Sequence, residues 1–198
     1  MSTPELWRVF PWDRNARPGA RFSASYVPDP TGRGRFDLPR NLSPVLYLAE
    51  TPEHAIAEAL QPWRGQRLEP WHLERARLPL AAVCVEFTTD PPPQLADLCD
   101  AATLQALSTP PDVTASRYRE RTQPIARAAW DRGDAGLRWW SSFWGDWHTA
   151  VLFTARLSGA LRFSEPEPLS LGSPGVVRAA DLLGMRMERA AAALSLSP

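Results

Sequence analysis

The chain contains no lysine: its 22 basic residues are all arginine, matched by 22 acidic residues in a length of 198. That absence excludes Schiff-base and lysine-general-base chemistry, and it makes every side-chain cation a planar fork that stays charged. A formal net charge of zero argues against a general nucleic-acid binder, whose affinity rests on a basic surplus. Cysteine is scarce. Cys84 and Cys99 sit in apolar surroundings, in no paired ligand motif, so free buried thiols are expected rather than a disulfide. Three histidines, His54, His72 and His148, lack a ligand spacing, and no metal site is expected. No apolar run approaches the ~18 residues of a membrane span. The N-terminus MSTPELWRVF has neither a basic region nor an apolar core, so the expectation is a cytoplasmic chain without a signal peptide. A Walker phosphate loop, a GxGxxG turn opening a helix, HExxH and GxSxG are all missing.

What is present suits one globular domain. Hydrophobic residues make up 44% and charged ones 22%, and the length supports a single core. LWRVF reads as a first strand ended by Pro11. Residues 11–44 are rich in Pro, Gly, Arg and Asp without helical periodicity, hence mainly loop; a loop so long is often functional. PVLYLAE predicts a strand with Val45, Tyr47 and Ala49 on one face and Leu46 and Leu48 on the other. TPEHAIAEAL predicts a helix with Thr51 as N-cap, Pro52 first and Glu53 complementing the dipole. LPLAAVCVEFTT is a further strand, and residues 93–107 are helical in whole or part. A helix is expected over 116–130, interrupted or kinked near Pro124. Strands GLRWWSS and TAVLFTARL flank the turn WGDWH. The chain closes with an amphipathic helix offering Val177, Leu182, Leu183, Met187 and Ala191 to the core. Without a regular βαβ alternation the class is α+β.

Several residues admit two readings. Arg33 and Arg35 lie in GRGRF, where glycines let the backbone approach another group; they are solvated loop cations or forks aimed at a phosphate or carboxylate. Arg8 interrupts an apolar strand, and a charge there must be paired or must face a cavity. Tyr47 is a core tyrosine or a pocket wall. Glu58 falls about 60° beyond Ala55 on its helix, at the edge of the apolar stripe. Trp139, Trp140, Trp144 and Trp147 crowd into nine residues just after Trp130, as core and rim or as a stacking wall for a planar or sugar ligand. Ser141 and Ser142 have no histidine at a diagnostic spacing.

In order, LWRVF, GRF, VLYLAETPEHAIAEAL, AGLRWWSS and the apolar VLF resemble the RES domain family, which includes the toxins of RES–Xre toxin–antitoxin pairs. The resemblance covers residues 5–165 as a catalytic, NAD-binding domain and leaves 166–198 as a C-terminal extension whose amphipathic helix packs on it. It implies a single α+β domain of mixed sheets flanked by helices, similar to ADP-ribosyltransferases. It also implies an enzyme that consumes NAD, as substrate and without a metal. Carried over, Arg8 matches the early strand arginine, Arg35 that of the glycine-flanked motif, Tyr47 the strand tyrosine, Glu58 the helical acid and Ser141 the family serine. Phe36-Asp37 stands where the family often has Trp-Asn.

The residue types suit that chemistry. Cleaving the nicotinamide–ribose bond builds positive charge at the anomeric carbon, which Glu58 would stabilise directly or by holding a ribose hydroxyl. Arg8 and Arg35 would grip the pyrophosphate, Tyr47 would pack on nicotinamide or ribose, and Ser141 would hydrogen-bond the nicotinamide end or a phosphate. The acceptor is water or inorganic phosphate. Transfer of ADP-ribose to a protein or small molecule, and non-catalytic ligand binding by the tryptophans, are the alternatives. The resemblance further implies an Xre-type antitoxin partner. Oligomeric state stays open, homo-oligomer included.

Overall fold

The computed structural model describes residues 5–141 and 144–187. Among the described residues nine strands form one mixed sheet: β1 (Leu6–Pro11), β2 (Val45–Ala49), β3 (Glu74–Arg75), β4 (Leu78–Phe87), β5 (Ala96–Asp97), β6 (Gly136–Trp140), β7 (His148–Phe153), β8 (Leu161–Phe163) and β9 (Glu167–Pro168). Five α-helices accompany them among the described residues: α1 (Pro52–Leu60), α2 (Ala101–Ala106), the single turn α3 (Pro111–Thr114), α4 (Arg119–Arg132) and α5 (Pro174–Leu182). The order across the sheet is β3-β4-β1-β2-β7-β6-β5, with β8 and β9 on the free edge of β4. Only β5 and β6 run parallel; the other pairs are antiparallel. This is the expected single α+β domain with helices on a mixed sheet.

The sheet is two half-sheets joined by very little. β1 pairs with β4 from Leu6↔Val85 to Pro11↔Leu80, and β2 with β7 from Val45↔Phe153 to Ala49↔Thr149. Between β1 and β2 the only pair is Trp7↔Ala49. Beyond it the two strands part.

One sheet face carries a core shared by both halves, with Leu6, Phe10, Val83, Leu46, Leu48 and Leu152. The opposite face divides. Under β2, β6 and β7 lie Phe36, Leu104 and Ile125 with Val45, Leu137 and Val151. Beside β1, α1 and α5 pack together through Ile56, Ala57, Leu60, Val176, Ala179 and Ala180. The alternation predicted for β2 is therefore what divides its side chains between two cores.

α1 forms as its sequence predicts, with Pro52 in the first turn and the Thr51 hydroxyl accepting from His54 N. α4 runs unbroken through Pro124, so the expected interruption does not occur. Pro124 deprives only the Glu120 carbonyl of a donor. Glu120 lies on the exposed first turn, while Ile125, Ala126 and Ala129 are buried. Gly133, at φ 103, closes the helix in the left-handed conformation. Residues 93–107 split into β5 and α2.

The predicted face of the last helix needs correcting. Val176, Ala179, Ala180 and Leu183 form the buried stripe at spacings i, i+3, i+4 and i+7. Val177 and Leu182 stay exposed, at 44% and 40%. Small alanines face α1 because they let the two helices approach closely. Leu183 is buried and Met187 packs at the margin of this core; Ala191 lies outside the described residues.

Candidate active site

A cavity of about 510 Å³ occupies the gap where β1 and β2 part. Three consecutive residues of β1 (Trp7, Arg8, Val9) and all five of β2 line it. A pocket over one face of a strand would meet alternate residues only; contact with successive ones means that it reaches into the space between the strands. The loop before β2 contributes Arg35, α1 contributes Ala55, Glu58 and Ala59, and β6 and β7 contribute Trp139 and Thr149. Arg8, Arg35, Tyr47 and Glu58 thus share one cavity, and among the described residues that line it only Arg8, Arg35 and Glu58 are charged.

The GRGRFD loop is tied to β2 through Tyr47. Its hydroxyl donates to Asp37 Oδ1 at 3.0 Å and accepts from Phe36 N at 2.9 Å. Asp37 Oδ2 in turn accepts from Gly34 N at 3.0 Å. A Cβ on Gly34 would lie 2.2 Å from Asp37 Oδ1 and 2.3 Å from Tyr47 Oη, so only glycine fits. Phe36, fully buried, packs on Trp139 with ring centroids 4.4 Å apart. Burial and the neighbouring Asp37 carboxylate push the Tyr47 phenol well above its usual range. It remains a phenol, and with its hydroxyl engaged it presents its ring to the cavity. Asp37 was not among the predicted site residues; its place in the loop is legible only once Tyr47 is seen above it.

The two arginines are held differently. Arg8 Nη1 donates to the carbonyls of Tyr26 and Ala24 at 2.8 and 3.3 Å, and no carboxylate among the described residues pairs with it. Burial pushes its guanidinium down to about 10, still a cation at neutral pH. Arg35 donates through Nη2 to the Thr114 carbonyl, while its buried Nε has no partner. Burial lowers its pKa, with Tyr47 and Glu58 opposing and Arg117 reinforcing the shift. Both arginines are anchored by neutral carbonyls, and no carboxylate among the described residues forms an ion pair with either; Glu58 offsets Arg35 only at longer range. An anion in the cavity would compensate their charge.

Glu58 projects from the last turn of α1 with its side chain 41% exposed, as its position at the stripe's edge predicts. Its Oε1 lies 3.2 Å from Nε2 of His54, one turn earlier and 1% exposed. The His54 ring stacks on Trp147 at 4.7 Å. The i, i+4 spacing was legible in the sequence; the Trp147 contact was not.

Ser141 does not line the cavity. It is buried just beyond β6, and its N–H donates to the Trp147 carbonyl, drawing the start and end of the β6–β7 connection together. The tryptophans do not form one wall either. Trp139 lies on the cavity with Tyr47 edge-on at 6.3 Å; Trp144 and Trp147 join the α1–α5 core; Trp140 is 44% exposed; and Trp130 packs on Phe153. Strand alternation sends neighbours in sequence to different faces. Both cysteines carry free thiols.

Among the described residues no helix is long and apolar enough to cross a membrane. The family model of the RES domain matches residues 5–172. No curated protein sequence matches the chain. Among solved structures, a chain in the crystal structure of the M. tuberculosis MbcT–MbcA toxin–antitoxin complex is similar, with a TM-score of 0.59 and 16% identity, covering 93% of this chain and 91% of that one. At that identity the likeness shows a common fold. The match over most of its length shows that the chain belongs to the RES domain family.

Proposed function

We propose that this RES domain protein is a toxin-like enzyme that cleaves the nicotinamide–ribose bond of NAD, with water or inorganic phosphate as acceptor. The observation that carries the reading is the convergence of Arg8, Arg35, Tyr47 and Glu58 on one cavity in the gap of the sheet. Its polarity suits a dinucleotide: two cations that form no ion pair among the described residues for a pyrophosphate, aromatic rings at Tyr47 and Trp139 for a planar base, and one carboxylate for a sugar.

In this mechanism the C–N bond breaks with its electron pair leaving on nicotinamide as a neutral base, so the departing group needs no metal or proton. Positive charge develops at the anomeric carbon, and Glu58 stabilises it or orients a ribose hydroxyl. An open carboxylate is weakly effective in water; bound NAD would exclude solvent and strengthen its field. A water or phosphate oxygen then forms the new bond to carbon, and water releases its proton to solvent. Tyr47 acts as a ring surface and as the tie that holds Arg35 in place. Ser141 lies off the cavity wall and takes no part in this scheme.

The likeness to a toxin in complex with its antitoxin supports a partner that restrains this chain, of Xre type by family resemblance. Consumption of NAD would place the protein's action in the cytoplasm. The deciding experiment is incubation with NAD, with and without phosphate, and mass analysis of the products. Nicotinamide with ADP-ribose supports hydrolysis, and ADP-ribose 1″-phosphate supports phosphorolysis. Label on a macromolecule would move the reading to ADP-ribosyl transfer, and no nicotinamide release at micromolar enzyme would overturn it.

A further inference from the structure

We propose that His54 is a positioning residue for Glu58: a neutral imidazole that donates from Nε2 and holds one carboxylate oxygen while the other stays available to a ligand. The inference rests on the reading of Glu58 given above and goes beyond it in assigning a second residue to the site. The ring is fixed from three sides. Its backbone N–H is the one that the Thr51 cap receives at 3.1 Å, its plane lies against Trp147 at 29°, and its residue is buried to 1% exposure. Among the described residues only the Nε2 edge faces a polar partner, Glu58 Oε1 at 3.2 Å.

The hydrogen positions follow from the partners. An ionised carboxylate can only accept, so Nε2 carries the proton of this bond. Nδ1 is buried with no hydrogen-bond partner. A second proton there would be a buried N–H without an acceptor, which is more costly than a bare lone pair. The hydrogen-bond partners therefore place the ring proton on Nε2 and leave Nδ1 bare. That placement bears on the chemistry: a donor at Nε2 orients the carboxylate while its other oxygen stays open to the cavity. Glu58 Oε2 makes no hydrogen bond among the described residues, and Glu58 lines the cavity. A solvent-exposed glutamate otherwise samples many rotamers, and holding one oxygen removes most of that freedom before substrate arrives.

A purely structural His54 would be replaceable by any ring of similar size. His54→Phe keeps the stack on Trp147 and removes the donor; His54→Gln restores a donor near the Nε2 position. The assay is nicotinamide release from NAD by the full chain, with folding of each variant checked by thermal unfolding. His54→Phe is expected to lower kcat tenfold or more with KM for NAD changed less than threefold. His54→Gln should recover most of that loss, and adding His54→Phe to Glu58→Gln should cost little more than Glu58→Gln alone. Equal impairment in the Phe and Gln variants, or losses that multiply in the double variant, would overturn the proposal. Nitrogen-15 NMR of the wild-type imidazole at pH 7.5 gives a readout that does not need NAD. The Nε2–H tautomer is expected, and in a folded Glu58→Ala its proton should exchange faster with water; an Nδ1–H tautomer or an imidazolium sinks the idea. Wild-type protein that leaves NAD intact would count against the NAD reading, and the NMR result would still decide the pairing.

Discussion

Tyr47 and Asp37 are joined by a hydrogen bond of 3.0 Å that ties β2 to the loop bearing Arg35. A strand residue thereby sets the position of a loop cation, and the Asp37 side chain bonds Gly34 N as well. Tyr47→Phe would leave Asp37 Oδ1 and the Phe36 N–H without this partner, in a buried setting. The expected loss of stability is about 1–3 kcal/mol, measured by urea unfolding. KM for NAD should rise as Arg35 loosens.

Glu58→Gln should leave the urea midpoint nearly unchanged, because the side chain is half in solvent. Turnover of NAD should fall by at least about a hundredfold, equivalent to ~2.7 kcal/mol of transition-state stabilisation. Full activity in this variant would remove Glu58 from the chemistry.

Arg35→Ala is expected to raise KM for NAD more than it lowers kcat, since a phosphate contact persists from ground state to transition state. Arg35→Lys should rescue poorly, because a point charge does not reproduce a fork held on the Thr114 carbonyl. Unchanged NAD affinity in Arg35→Ala would argue against pyrophosphate binding there.

The face that α5 buries is open to a paired test. Val176→Ala should cost about 1–3 kcal/mol, as a core truncation beside α1. Val177→Ser, one residue on and exposed, should stay within about 0.5 kcal/mol of wild type.

Cys99 should be a slow nucleophile. Burial, with the nearby Asp97 carboxylate, pushes its thiol up to about 12. Alkylation by iodoacetamide at pH 7.5 is expected to be more than about a hundredfold slower than for free cysteine, and to keep accelerating through pH 9–10 where an ordinary thiol levels off.

Much of this protein was legible from local grammar. β1, β2, α1, β4, β6 and β7 follow alternation, capping and run length, all of which act between residues close in the chain. Glu58 at the stripe's edge and Tyr47 on one face of β2 are consequences of the same periodicities. The order of Arg8, Arg35, Tyr47 and Glu58 carried the family resemblance, and the four do line one cavity.

Long-range placement was a different matter. The buried stripe of α5 lies on Val176, Ala179 and Ala180 rather than Val177 and Leu182, because close packing on α1 favours small residues over the larger hydrophobes that composition suggests. Adjacent tryptophans separated because strand alternation and the β6–β7 turn sent them to different surfaces. Sequence order determined which side chains the β1, β2 and α1 region would offer. Only the tertiary structure decided that β1 and β2 meet at Trp7 and Ala49 and then part. Pairing between strands distant in sequence depends on what each packs against, and that opening is where the charges gather.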